Sequence, residues 1–274
     1  MGINHVSLES PGYLPVQSML QDNGFALSHI PVGKNGLDIS KLPMNIASAV
    51  YVSPSNQFPT GTVMPAGRRH QLLDWATDNN SIIIEDDYDS ELRYFGKPVP
   101  SLKSLDTNDN VVYLGSFSST LFPAIKISYM VLPESMADIF QQIKRQYTQT
   151  CSKAEQLTLA LFMENGYYNT GIKKLRNLYS QKLALTMQCF EKYGNNAVLP
   201  VNTQSGINLS LKIKTKKSAE KLCNEAKSLG LLMIPLSELT DQETTSLIFY
   251  YSKLPLSRIE ASIKEVLKLW KSTE

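Results

Sequence analysis

Hydrophobic residues in the first half of this chain fall in short continuous runs rather than in strict alternation. "HVSLES" (His5 to Ser10), "FALSHIPV" (Phe25 to Val32), "SAVYVSPS" (Ser48 to Ser55), "SIIIEDDYDS" (Ser81 to Ser90), "NVVYLGSFS" (Asn110 to Ser118) and "KISYMVLP" (Lys126 to Pro133) each read as a strand. Continuous apolar runs of strand length suit a sheet covered on both faces, and helical patterns between them supply the covers. Two such patterns are "PVQSMLQDNG", closed by Gly24, and "AGRRHQLLDWATDNN" (Ala66 to Asn80). "NQFPTGTVMP" is too rich in proline, glycine and threonine to be regular. The first half is therefore α/β, and its polar loops "SPSNQFPTG", "EDDYDSE" and "GSFSST" stand where such a sheet builds a site.

The texture changes after "VLPESMADIFQQIKRQY". "CSKAEQLTLALFMENG" and the proline-free "YYNTGIKKLRNLYSQKLALTMQCFEKYG" predict two more helices, the second ending at Gly194. Beyond them come a strand "GINLSLKIK", a helix "KSAEKLCNEAKSLG" stopped by Gly230, strands "LLMIPLS" and "LIFYYSKL", and a helix "PLSRIEASIKEVLKLWKS". The expected organisation is a large α/β domain over 1–150, a helical connection over 151–195 and a small α+β domain over 196–274.

Composition changes little in this picture. With 42% hydrophobic residues in 274, the chain is long enough for a sizeable core. The net charge of +2, from 27 basic and 25 acidic residues, points to neither a nucleic-acid surface nor an acidic tail. The basic run "LKIKTKK" reads as a solvated edge strand. Three scattered cysteines and three histidines make neither a disulfide framework nor a zinc knuckle. No apolar run approaches membrane-spanning length, and a cytoplasmic location is expected.

Candidate chemistry concentrates in two segments. In an extended "IIIEDDYDSE", residues two apart share a face, so Asp86 and Tyr88 can point into one site while Glu85 and Asp87 point elsewhere. A carboxylate there can pair with a protonated ring nitrogen, and a phenol can donate to a neighbouring oxygen. Acidic residues that simply end a buried strand are the competing explanation. In "GSFSST", the hydroxyls of Ser116, Ser118, Ser119 and Thr120 and the turn amides can hold a phosphate beside Lys126, or form an ordinary polar turn. "GKNG" lacks the spacing of a phosphate loop, no glycine-flanked serine elbow occurs, and His70 reads as a surface residue.

Three ordered motifs, "SPSNQFPTGTVMPAGRRHQLLDWA", "IIEDDYDSELRY" and "VVYLGSFSSTLFPAIKISYMVLP", resemble the aminotransferase-like domain of MocR/GabR-type regulators of the GntR family. That group belongs to the fold-type I pyridoxal-phosphate superfamily, and the likeness runs from about Leu8 to the last helix. The resemblance implies a mostly parallel large-domain sheet, a smaller C-terminal domain and a homodimer. It implies that Asp86 pairs with the pyridine nitrogen and Tyr88 with the ring oxygen. The "QFPTG" segment, with Asn56 before it, lies at the cofactor, and Ser116, Ser118 and Lys126 hold the phosphate. Lys253 would receive the carboxylate of an amino-acid ligand.

Departures from the family pattern carry equal weight. Ser119 stands where the family has the Schiff-base lysine, and a hydroxyl cannot form an imine. Lys126 and Lys253 stand where the family has arginine, which keeps the charge but loses the planar two-pronged grip. Against the family pattern, the winged-helix domain and the first part of the large domain would precede "ESPGY", so an N-terminally truncated domain is expected. The expected function is a degenerate, non-catalytic effector domain with weak or absent pyridoxal phosphate and an amino acid or amine as effector, binding neither nucleic acid nor membrane by itself. The alternatives are an active aminotransferase, and a dimerisation module without ligand.

Overall fold

A computed structural model describes the whole chain apart from residues 1, 96–98, 202, 204–205, 237–243 and 272–274. Ser237 and Ser272, the last residues of an expected strand and an expected helix, lie outside the described residues. The chain divides into two compact units: Met1–Phe58, Thr62–Glu91 and Lys97–Gly171 form the first, and Pro59–Gly61, Leu92–Gly96 and Ile172–Glu274 the second.

In the first unit, strand β1 (His5–Ser10) leads through helix α1 (Leu14–Asp22) to β2 (Ala26–Gly33) and the two-residue β3 (Gly36–Leu37). The "GKNG" segment is the β2–β3 hairpin turn. Strand β4 (Ala49–Val52), helix α2 (Ala66–Asp78), β5 (Ile82–Asp87), the one-turn α3 (Leu102–Leu105), β6 (Val111–Ser116) and β7 (Ser128–Val131) follow. Helices α4 (Glu134–Ile143) and α5 (Lys153–Glu164) complete it, with the first residues of α6 (Tyr167–Tyr193).

The seven strands lie in the order β3-β2-β1-β4-β5-β6-β7. The five strands from β2 to β6 run parallel, and the edge strands β3 and β7 are antiparallel to their neighbours. Residues of β4 alternate between two cores. Val50 and Val52 join Leu72, Trp75 and Ile83 in one cluster, while Ala49 joins Val6, Leu8 and Leu20 in another. Burial on both faces explains why these strands read as continuous apolar runs. Helix α1 stops at Asp22, and Gly24 takes φ +82°, a conformation that favours glycine just past a helix end.

The second unit holds most of α6, then β8 (Val198–Val201), β9 (Leu209–Lys214), α7 (Ala219–Ser228), β10 (Met233–Pro235), β11 (Thr244–Phe249) and α8 (Ile259–Lys271). Its antiparallel sheet has the order β10-β11-β9-β8, over a core built from Phe190, Leu211, Leu222, Phe249, Ile263 and Trp270. Two expectations are corrected here. "LKIKTKK" belongs to an interior strand: β9 is paired on both sides, and Lys212 and Lys214 are exposed on one face while Leu211 and Ile213 are buried. Its last lysine, Lys217, is buried, with Nζ donating to the Trp270 carbonyl (2.8 Å) near the end of α8 and paired with Glu225 (3.2 Å). "LIFYYSKL" is strand only to Phe249; Tyr251–Lys253 form a 3-10 turn.

Candidate functional site

The chain runs from β1 outward to β2, then returns across β1 to β4, so the direction of winding reverses between β1 and β4. In an open parallel sheet this reversal opens a crevice outside the carboxyl ends of the strands. The ends of β1, β4, β5 and β6 deliver "ESPGY", "SPSNQ", "DDYD" and "SFSST" to that edge.

Glu9, at the end of β1, is 6% exposed. Its Oε2 accepts from the Ser53 backbone N–H at the end of β4 (3.1 Å), and its Oε1 has no partner. Burial pushes its carboxyl up to about 8, against the Ser53 and Gln57 hydrogen bonds that favour the ionised form. The turn after β1 is close-packed: a Cβ on Gly12 would stand 2.2 Å from the Glu9 carbonyl oxygen. The Gln57 amide crosses to the Pro11 carbonyl (2.8 Å) and also donates to the Phe58 carbonyl (2.6 Å), tying the two loops together. Gly12→Ala is expected to destabilise the chain by about 1–3 kcal/mol through overpacking, read as a lower urea midpoint.

Tyr51 on β4 donates its hydroxyl to Oδ2 of Asp86 on β5. Burial raises the Asp86 pKa, and the Tyr51 donation opposes that rise by favouring the carboxylate. The same burial, with the Asp86 charge, holds the Tyr51 phenol well above its ordinary value, so it is a donor throughout the physiological range. The strand ends at Asp87, so Tyr88 sits in the following bend, where its hydroxyl donates to the Asn56 carbonyl (2.7 Å). The Asn56 side-chain amide donates to Asp89 (2.6 Å), whose buried carboxyl is pushed up to about 8. Asp87 faces the other neighbour, accepting from the Tyr113 hydroxyl of β6 (2.7 Å) and the Ser90 N–H (3.2 Å).

The turn after β6 is built by its own hydroxyls. Ser116 Oγ accepts from the Ser118 N–H (3.2 Å), and buried Thr120 bonds the Phe117 carbonyl (3.3 Å) and the Tyr168 hydroxyl (3.1 Å). Ser118 and Ser119 are half-buried. Lys126 is exposed, in a left-handed conformation (φ +49°) after the 3-10 turn Pro123–Ile125. Lys253 lies in the second unit, exposed at the end of its 3-10 turn. Among the described lysines of the first unit, all are exposed except Lys103, which pairs with Asp106 (3.9 Å) and Asp109 (3.7 Å). No metal-holding group of histidine, cysteine and carboxylate side chains occurs among the described residues, and the cysteines are free thiols.

Glu9, Tyr51 and Asp89 are the members of this cluster that sequence reasoning did not single out. Tyr51 carries one signal, a phenol on an otherwise aliphatic buried strand. Glu9 and Asp89 look like ordinary strand-end acids until burial is known.

A parallel α/β sheet with acidic and hydroxyl-bearing strand ends at its winding reversal, followed by an antiparallel α+β unit, defines the fold-type I aminotransferase architecture. The profile of the family "Aminotransferase class I and II" matches residues 4–240, and the chain belongs to that family. It is 37% identical over 269 residues to the HTH-type transcriptional regulator YdeL of Bacillus subtilis, covering 97% of this chain and 58% of YdeL. To the probable rhizopine catabolism regulatory protein MocR of Rhizobium meliloti it is 30% identical over 230 residues, covering 84% and 47%. The solved kynurenine aminotransferase of Pyrococcus horikoshii shares the fold with a TM-score of 0.81 at 24% identity, over 98% of this chain and 69% of that one. The chain thus matches the aminotransferase-fold portion of MocR-type regulators and spans about half the length of these curated relatives. No helix among the described residues is long and apolar enough to cross a membrane.

Proposed function

We propose that this chain is a ligand-binding aminotransferase-fold domain of the regulator type, which engages pyridoxal phosphate without covalent attachment and does not transaminate. Ser119 carries this reading: a hydroxyl occupies the middle of the turn after β6, and the described amines of the first unit are exposed or, at Lys103, paired with carboxylates. The non-covalent half of a cofactor site fits the residues present. Tyr51 occupies Oδ2 of Asp86, and Oδ1 remains to accept from a protonated ring nitrogen. The Tyr88 hydroxyl, now on the Asn56 carbonyl, is the donor for the ring oxygen, with Asn56 beside it. Ser116, Ser118 and Ser119 offer hydroxyls and amides to the phosphate, and Lys126 a cation. Bound there, the cofactor would supply an electron-accepting ring.

This chain's own contribution is then to bind and orient. Asp86 would hold a proton on the ring nitrogen, and Tyr51 favours the Asp86 carboxylate by donating to it, against the rise that burial imposes. Ser119 takes no covalent part and moves no proton from a substrate carbon, which normally requires a positioned base worth about 10²–10⁴-fold in rate. An amino acid or amine bound with the cofactor is the effector, Lys253 is proposed to receive its carboxylate, and the assembly is a homodimer. The test is a titration with pyridoxal phosphate followed by absorbance and calorimetry, with and without added amino acids. Saturable binding that weakens about tenfold or more in Asp86→Ala supports the reading; binding indifferent to Asp86 overturns it.

The buried acids also give the fold a pH dependence. Glu9 and Asp89 titrate near 8 when folded and near 4.5 and 3.8 otherwise. Between those limits the unfolded chain has released these protons while the folded chain keeps them. Their contribution to stability is therefore complete at low pH and is lost as pH rises towards 8, by up to about 1.4 kcal/mol per pH unit for each group. Glu9→Gln is expected to flatten this decline in urea melts taken from pH 5 to 8. An unchanged slope would show that Glu9 is ionised when folded.

A further inference from the structure

The basic run "LKIKTKK" has no part in the site proposed above, and its end meets a cavity of about 320 Å³ within the second unit. That volume lies at the lower end of small-molecule pockets, roughly 300–1,000 Å³. Its floor is core: Val198, Ile213, Leu222, Leu267 and Trp270 line it, and each is buried. Gly194 and Ala197, in the turn after α6, form one wall. The Trp270 indole is fixed in place, with Nε1 donating to the Leu222 carbonyl (3.3 Å) and its own carbonyl accepting from Lys217 (2.8 Å). The rim differs in kind. Lys214, Thr215 and Lys271 line the same cavity, and both lysines are exposed. Lys271 Nζ donates to the Tyr193 carbonyl at the end of α6 (3.4 Å), which holds its ammonium beside the Gly194 turn. Thr215 Oγ1 accepts from the Lys217 N–H (3.1 Å), so its own proton is left to donate.

We infer that this cavity is a small-molecule site of the second unit, and that it takes a small monocarboxylate with an aliphatic or aromatic body. The class of ligand follows from charge and burial. Among the described residues, no carboxylate lines the cavity and neither Lys214 nor Lys271 has a carboxylate partner. Glu225 on α7 is already taken by the buried Lys217 (3.2 Å). An apolar floor below uncompensated cations suits an apolar body that carries one anionic head. The body packs on Val198, Leu267 and Trp270, while the carboxylate meets Lys214, Lys271 and the Thr215 hydroxyl. An amine of the same length is opposed by both cations, and an alcohol gains nothing from them. Because both lysines are exposed, their joint contribution is modest, about tenfold in affinity.

Hexanoate is the probe, titrated into the full 274-residue chain beside hexanol and hexylamine. The readout is the pair of indole N–H resonances from Trp75 and Trp270, the chain's two tryptophans. The Trp270 resonance should shift saturably, while that of Trp75, in the first unit, stays in place. Hexanoate should bind about tenfold more tightly than hexanol, with hexylamine weakest. Lys214→Gln combined with Lys271→Gln should erase the difference between hexanoate and hexanol. The melting temperature should hardly change, because both side chains are exposed. Three results would each overturn the inference: no saturable shift at Trp270, equal affinity for hexanoate and hexanol, or an undiminished preference for hexanoate in the double variant. None of these readouts involves pyridoxal phosphate or Asp86, so failure here is distinct from failure of the proposed function.

Discussion

Arg69→Met is expected to destabilise the chain by about 3–5 kcal/mol, enough to unfold a marginal domain at physiological temperature. Arg69 lies on α2 with no solvent exposure, in one of the least accessible positions of the first unit. Its Nε donates to the Met64 carbonyl (3.1 Å), Nη1 to Pro100 (2.8 Å) and Nη2 to Pro54 (2.8 Å), while Nη1 stands 3.7 Å from Glu85 Oε1. Glu85 is equally buried and accepts from the Leu102 and Lys103 N–H groups that begin α3 (both 2.9 Å). Methionine keeps the apolar stem but takes a donor from the Met64, Pro100 and Pro54 carbonyls and the counter-charge from Glu85. Pro54 keeps the Met64 N–H (2.9 Å), and Glu85 keeps its two backbone donors. Glu85 is already raised by burial, and without the guanidinium it would bind a proton to fold. Arg69→Met/Glu85→Gln should recover part of the loss, since removing both charges costs less than stranding one. Equilibrium urea unfolding of the single and double variants measures this. A loss under 1 kcal/mol in the single variant would mean that the carbonyls find other donors.

Ser119→Lys is the second large effect, and it acts on chemistry rather than stability. The side chain is half-buried in a turn whose backbone is held by Ser116 and Thr120, so a lysine can extend from it without displacing core. Its amine would meet the aldehyde of a cofactor held by Asp86, Tyr88 and the serine turn. The variant should gain the long-wavelength absorbance of a protonated imine and near-stoichiometric labelling of residue 119 after borohydride reduction. A variant that binds pyridoxal phosphate yet remains unlabelled at residue 119 would show that this turn does not face the cofactor.

How much was legible in the sequence depended on the range of the interaction. Strands buried on both faces announced themselves as unbroken apolar runs, and α1, α2 and α6 through their glycine and asparagine ends. Strand β8 escaped because Pro200 within four residues reads against a strand, and β3 because two residues carry no period. The end of β11 was misplaced because Tyr250 and Tyr251 look like strand residues, whereas the chain turns there, with the Lys253 N–H donating to the Tyr250 carbonyl (3.1 Å). The acidic and serine segments were visible as candidates. Their partners were not, since Tyr51 and Asp86 are 35 residues apart and meet only because β4 and β5 pair in parallel. Arg69 was not singled out, because nothing local reveals the buried glutamate on β5 that it faces.

Covalent capture of the cofactor separates a non-catalytic binding domain from an active aminotransferase. Wild-type protein is incubated with one equivalent of pyridoxal phosphate, reduced with borohydride and mapped by peptide mass spectrometry beside Ser119→Lys. The prediction is no stoichiometric lysine label in the wild type and a single label at residue 119 in the variant. A single stoichiometric label on any native lysine, matched by an imine absorbance band, would contradict it and return the chain to the active aminotransferases.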